Sequence, residues 1–288
     1  MANNGRTDMA SELHRRLCEQ RAIAELPGVC AREETLRGFA VTEVRILDPR
    51  GAELLGRPVG RYLTMELPRG PLDAVFPEAV RALAELIRRC VGKRPGSVLV
   101  VALGNPDITP DALGSLSATQ ILVTRHLIQQ GVPAFAGFCS TSLCRPGVLG
   151  SSGVESASQI RALCGLVSPE LVIAIDALAG AEISRLCRSV QICDTGIAPG
   201  SGVGNAREAI DREGLGVPVI AIGTPTVTDA AGVSEDPELR GMFVTPRSID
   251  SQVRSCARLI GFAVDLALQE QLSYEDLLLL LGDGGCFT

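Results

Sequence analysis

The chain has 288 residues, 46% of them hydrophobic and 21% charged, with 33 acidic against 27 basic side chains and a net charge of −6. That length buries a sizeable core, as one large domain or as a domain with a smaller layer attached, and the balance reads as a soluble globular protein. The acidic excess and the seven Phe and two Tyr, with no basic stripe interleaved among them, argue against direct nucleic-acid binding.

In chain order, Met1 to Ala10 is polar and lacks the apolar core of an export signal, so a cytoplasmic location is expected. The next thirty residues are charged and helix-prone, from Ser11 to Gln20 and around Arg32 to Leu36, and read as a peripheral segment. Phe39 to Leu47 and Arg61 to Leu67 have strand character and suggest a hairpin or small sheet over residues 38–70. Val75 to Arg89 has helical periodicity, with Val80, Leu83, Leu86 and Ile87 on one stripe.

From Ser97 the pattern changes. Ser97 to Leu103, Leu171 to Ile175, Ser189 to Cys193 and Val217 to Ile222 are continuous apolar runs, as strands buried on both faces require. Helical stretches separate them, at Leu113 to Gln130, Val154 to Leu166 and Ala177 to Leu186, and Ser251 to Gln271 reads as one more helix. The alternation predicts an α/β fold, a three-layer α/β/α sandwich on a mostly parallel sheet, with its working core in residues 97–231. A short Leu-rich segment ending in Gly-Asp-Gly-Gly follows. The longest apolar runs fall far short of the roughly 20 residues that cross a bilayer, so no membrane span is expected.

In an open parallel sheet the chemistry gathers beyond the carboxyl ends of the strands. After the first long run comes Gly104-Asn105, then Thr109 as a natural helix cap and Pro110 as a natural first helical residue, which places Asp111 in the first turn of a helix. Asp111 is then either an acid that complements the helix dipole or a reactive group facing the crevice. Asp176 closes a wholly apolar strand, where an unpaired carboxylate is costly; it either caps the next helix or belongs to a site. Two such acids facing one another would differ in pKa, and so would supply a base for water and an acid for a leaving amine.

Asp194-Thr195-Gly196 opens a glycine-rich stretch through Gly202 to Asn205. The tripeptide also occurs in pepsin-like proteases, but their fold is not the one predicted here. The stretch lacks the Lys-Ser/Thr of a phosphate loop, and we read it as a backbone wall of the site. Ten cysteines are scattered through the chain. Neither Cys139 and Cys144 nor Cys187 and Cys193 has C-x-x-C spacing, and imidazole comes only from His14 and His126. Most of the cysteines are therefore expected as reduced, small hydrophobes, with no metal and no cofactor.

Together VALGNPDITPDALG (101–114), LVTRHL (122–127), PGVLGSSGVES (146–156), VIAIDALA (172–179), QICDTGIAPGSGVGN (191–205) and GVPVIAIGTPTVTDA (216–230) resemble the germination protease family, with weaker similarity upstream in GRPVGRYLTMELP (56–68). The resemblance implies a phosphorylase/hydrolase-like sandwich related to the maturation proteases of nickel-iron hydrogenases. It also implies a protease of atypical aspartic type, with Asp111 and Asp176 catalytic, and with Asn105, Asp194, Thr195, Gly196 and Gly202 in supporting loops. Small acid-soluble spore proteins are its implied substrates, cut after Glu; the implied setting is the spore core and the implied assembly a homotetramer.

The resemblance further implies a zymogen that cuts itself. Asp8-Met9-Ala10-Ser11-Glu12 imitates the substrate pattern, so cleavage is expected between Asp8 and Met9, leaving residues 1–8 as propeptide and 9–288 as a single protease domain. An ordinary exposed helix start is the alternative for that segment. For the whole chain the alternatives are a metal-dependent maturation-type protease and an inactive scaffold on the same fold. The Cys-rich stretch at residues 137–145 departs from the family pattern.

Overall fold

A computed structural model describes residues 6–70, 72–205, 207–232, 237–239 and 241–282. The N-terminal part runs α1 (Ala10–Arg21), β1 (Val29–Leu36), β2 (Phe39–Ile46), α2 (Pro49–Leu55), β3 (Gly60–Glu66) and α3 (Phe76–Val91). The middle runs β4 (Ser97–Ala102), α4 (Leu113–Ser117), α5 (Arg125–Gln129), β5 (Ser140–Cys144), α6 (Leu149–Ser152), α7 (Ser156–Val167), β6 (Leu171–Ala179) and β7 (Ser189–Cys193). It closes with α8 (Arg212–Leu215), β8 (Val219–Asp229), β9 (Phe243–Val244), α9 (Ile249–Leu268) and α10 (Tyr274–Leu281). The Leu-rich end is thus a helix, and most of the Gly-Asp-Gly-Gly expected after it lies outside the described residues.

The strands form one mixed sheet in the order β1-β2-β3-β7-β8-β6-β4-β5, with β9 pairing β8. Strands β5, β4, β6 and β8 are mutually parallel. The apolar runs that compose them bury both faces: Val98 and Val100 enter the core under α3 and α9, while Leu99 and Val101 enter the core under α7. That division follows from the two-residue period of a strand. With helices on both faces, the α/β/α layering is as expected.

The other half of the sheet is antiparallel. The apolar run at Ser189 to Cys193 becomes β7, antiparallel to both β8 and β3, so that part of the mostly parallel expectation is corrected. Only Gly180 to Arg188 separates β6 from β7, too short for the dozen or more residues of a parallel crossover. The hairpin expected within residues 38–70 is present as β2 and β3, with α2 in the connection.

Four further expectations are corrected. Residues Arg32 to Leu36 are strand β1, not helix; they pair only with β2, and their charges lie on an edge where solvent receives them. The stretch Leu113 to Gln130 is two short helices, interrupted where the Leu122 N–H is taken by the carboxylate of Asp265 at 3.0 Å to each oxygen. Ala177 to Leu186 is not a helix, because β6 continues through Asp176 to Ala179 against β8 and only a single 3-10 turn follows at Ile183–Arg185. Finally, the start of the chain is not peripheral: Thr7, Met9, Ala10, Ser11 and Glu12 are buried.

The largest core lies between the sheet and α3, α9 and α10. Helix α3 opens on Phe76-Pro77 with Glu78 in its first turn, carries Arg88 and Arg89 in its last turn, and buries Ala79, Val80, Leu83, Leu86 and Ile87 along one stripe. Proline at the start, acid early and base late suit the unpaired amides and the dipole of a helix. Helix α9 is buried throughout its second half, where Phe262 meets Phe76 edge-on at 6.0 Å between ring centres.

Candidate active site

At the end of β4 the chain turns at Gly104, whose φ of 94° is left-handed and whose absent Cβ would lie 2.0 Å from the Asp111 carbonyl oxygen. Only glycine permits both. The turn brings the Asn105 N–H onto Asp111 Oδ2 at 2.7 Å. Asp111 itself ends a 3-10 turn, Thr109–Asp111, rather than opening an α-helix, and Thr109 caps nothing there; its hydroxyl donates to Asp250. Asp176 sits within β6 opposite Gly223 of β8, 4% exposed, with its Oδ1 accepting from the Ala177 N–H at 2.9 Å. Since the strand runs on beyond it, Asp176 caps no helix.

Both acids line one cleft of about 710 Å³. Burial pushes the Asp176 carboxyl well above the usual carboxylate range, and the charges of Asp111 and Asp8 push it the same way, opposed by the Ala177 N–H. Burial also raises Asp111, more modestly, against the stabilising Asn105 N–H. Two like charges in a water-poor site do not both ionise readily. Asp176 is therefore the member that keeps its proton, and Asp111 is the member that ionises first.

The N-terminal segment runs into this cleft. The Asp8 N–H donates to the Ala179 carbonyl at 2.8 Å, and the Ala179 N–H returns a bond to Asp8 Oδ2 at 2.9 Å. Asp8 Oδ1 accepts from the Ser201 hydroxyl at 2.9 Å and from Arg57 Nη2 at 3.0 Å, and Arg57 also donates to the Thr7 carbonyl at 2.7 Å. Beyond Asp8, the Met9 side chain is wholly buried. The Glu12 carboxylate accepts from the Ala181 and Glu182 N–H groups and from Thr7, while burial raises its pKa. The glycine-rich stretch covers the segment closely: a Cβ on Gly202 would lie 2.0 Å from Asp8 Oδ2 and 2.7 Å from the Ala179 Cβ.

Among the residues expected in the site, Asp8, Asp111, Asp176 and Gly202 line the same cleft. Thr195 and Gly196 line an adjoining recess of about 120 Å³ that shares Asp8 and Asp176 with it. Asn105 reaches Asp111 through its backbone. Asp194 lines neither; it accepts from the Arg61 N–H at 2.8 Å and so ties β7 to β3. Neither histidine lines the cleft, and among the described residues no group of three or more His, Cys, Asp or Glu is arranged to hold a metal.

Three residues that touch Asp8 were not singled out from sequence: Arg57, Gln191 and Ser201. Gln191 had a readable signal, since an amide inside the apolar run of β7 is costly to bury unless it is bonded on both ends. Arg57 lies in a loop and Ser201 opens a 3-10 turn, Ser201–Val203, and nothing local marks either.

The chain is similar to known proteins over most of its length. A family described as germination protease matches residues 5–239. A germination protease of Caldanaerobacter subterraneus subsp. tengcongensis is 40% identical, covering 96% of this chain and 98% of that one. One from Clostridium perfringens is 35% identical over 95% of this chain and 98% of its own. One from Bacillus cytotoxicus is 40% identical over 80% of this chain and 65% of its own. Among solved structures, a nickel–iron hydrogenase maturation protease from Thermococcus kodakarensis covers 62% of this chain and 98% of its own at 15% identity, with a TM-score of 0.36.

Proposed function

The chain belongs to the germination protease family and is a peptidase, and on that premise we propose that it is made as a self-processing precursor in which Asp111 and Asp176 activate water to cut the Asp8–Met9 bond. Residues 1–8 are then the propeptide and 9–288 one protease domain; residues 1–5 lie outside those described. The same pair goes on to cut small acid-soluble spore proteins after Glu in the spore core, in a homotetramer. The observation that carries this reading is that Asp8 lines the same cleft as Asp111 and Asp176, bonded to Ala179 three residues beyond Asp176.

The chemistry follows from the unequal pair. Ionised Asp111 takes a proton from a water molecule as its oxygen bonds to the Asp8 carbonyl carbon, giving a tetrahedral adduct. Protonated Asp176 donates to the Met9 nitrogen as the carbon–nitrogen bond breaks, leaving a new carboxyl on Asp8 and a free amine on Met9. Acid–base assistance of this kind contributes on the order of 10²–10⁴ in rate.

The experiment is intact-mass analysis of the purified full-length chain over time, with Asp111→Asn and Asp176→Asn variants beside it. Wild type should lose residues 1–8 at a first-order rate independent of protein concentration, because the segment lies in its own cleft. Both variants should stay whole. A folded wild type that is never cut, or variants cut at the wild-type rate, would remove this reading.

A further inference from the structure

Asp8 is held at more points than a passing chain requires. Its carboxylate meets a guanidinium, a hydroxyl and a main-chain N–H, while the backbone on either side of the Asp8–Met9 bond is bracketed by one side chain. Gln191 Nε2 donates to the Asp8 carbonyl oxygen at 3.1 Å, and Gln191 Oε1 accepts from the Ala10 N–H at 2.8 Å. The orientation of that amide is dictated by its partners, since a carbonyl only accepts and an N–H only donates. Both bonds lie where water is scarce, with Gln191 6% exposed and Ala10 wholly buried.

We propose that Arg57, Ser201 and the Ala179 N–H form the subsite that selects an acidic side chain on the residue whose carbonyl is attacked, and that Gln191 holds the bond to be cut. This rests on the proteolytic reading above. The Arg57–Asp8 pair is half-buried, where a charge-assisted bond is stronger than at the surface. An amide in place of the Asp8 carboxylate would present an N–H₂ group to donors and leave them unmatched. Gln191 donates to the oxygen on which negative charge develops as water adds, the position at which a fixed donor lowers the barrier most. Its acceptor end fixes the chain beyond the cut, so the carbonyl cannot rotate away.

The test is the first-order rate of self-cleavage in the full-length chain for wild type, Arg57→Gln, Asp8→Asn, the two together, and Gln191→Glu. Arg57→Gln and Asp8→Asn should each slow the cut by about 10–100-fold, the range for losing a bond to a charged group. Combined, they should be no slower than the slower single variant, because both remove one contact. Gln191→Glu, which replaces the donor with an acceptor, should slow it by about 100-fold or more. Arg57 lies in the loop after α2 with a partly exposed side chain, so its variant keeps the proposal testable if the buried Gln191→Glu chain misfolds. Wild type cut at Asp8–Met9 with Arg57→Gln and Asp8→Asn equally fast, or with effects that multiply, overturns the subsite alone. Wild type that is never cut there overturns the proteolytic reading and the subsite with it.

Discussion

Asp176 has no cation among the groups that set its titration. Burial, Asp111 and Asp8 all favour the neutral acid, and a single N–H favours the anion. A pair in this state titrates in two steps that belong to both members. On the proposed mechanism self-cleavage needs Asp111 ionised and Asp176 protonated, so its rate should rise with pH through the ionisation of Asp111, somewhat above the usual carboxylate range. It should fall again as Asp176 loses its proton well above that range. Removing the Asp111 charge should bring Asp176 down, which carboxyl carbon resonances can follow in Asp111→Asn without any need for activity. An Asp176 titration unmoved by that substitution would mean that the two acids do not sense one another. Asp265, also wholly buried with its pKa raised well above normal by desolvation, is a separate case: it lies on α9 and serves to hold the Leu122 N–H.

The glycine-rich stretch and the segment that leads into α1 act together, because Gly202 and Ser201 both lie against Asp8. Gly202→Ala would set a methyl 2.0 Å from Asp8 Oδ2, against a carboxylate that Arg57, Ser201 and the Ala179 N–H hold in place. The N-terminal segment should therefore leave the cleft, with self-cleavage slowed by about 10-fold or more, the cost of losing the bonds that hold Asp8. The sheet should lose little stability, since the new methyl presses on it only at Ala179, the last residue of β6. Limited proteolysis at residues 6–12 reads the displacement, and a segment as protected as in wild type would contradict it. In the core between α3 and α9 the expectation is the reverse. Phe262→Ala, which empties the contact with Phe76 and Tyr274, should cost about 3–5 kcal/mol in denaturant unfolding. A loss below about 1 kcal/mol would mean that the helices collapse onto the space.

Across the whole molecule the buried acids share one direction. Asp111, Asp176, Asp265, Glu12 and Glu66 all have pKa values raised by burial. A carboxyl whose folded pKa lies above its unfolded value stabilises fully below the unfolded value, and that contribution is lost as pH rises through the folded one. Glu78 and Asp276 have lowered values and act oppositely, but they are solvent-exposed and screened. His14, lowered by burial, costs stability only as pH falls through its own range. The thermal midpoint of the Asp176→Asn chain, which should stay uncut, is therefore expected to be higher near pH 5 than near pH 8, in calorimetry at fixed ionic strength. A midpoint that climbs across that interval would show the buried acids to be better paired than their surroundings indicate. No helix among the described residues is long and apolar enough to cross a membrane.

Local chemistry was enough to reveal the buried strands and to mark the two acids as candidates. A run such as Val98 to Val101 has few places to go but a sheet covered on both faces, and a carboxylate beside such a run is too costly to be idle. The helices α3 and α9 were legible for the same reason, since their apolar stripes repeat within the segment. What remained hidden depends on partners far along the chain. The direction of β7 follows from the length of its connection and from its neighbours β3 and β8. Asp176 lies inside a strand because β8 continues alongside it, and residues that cap or extend it locally carry no mark of that. The burial of Met9 to Glu12, and the roles of Arg57, Gln191 and Ser201 around Asp8, arise from groups 49 to 193 residues apart. No periodicity encodes a contact at that separation, because its energy exists only once the sheet has brought both ends to the cleft.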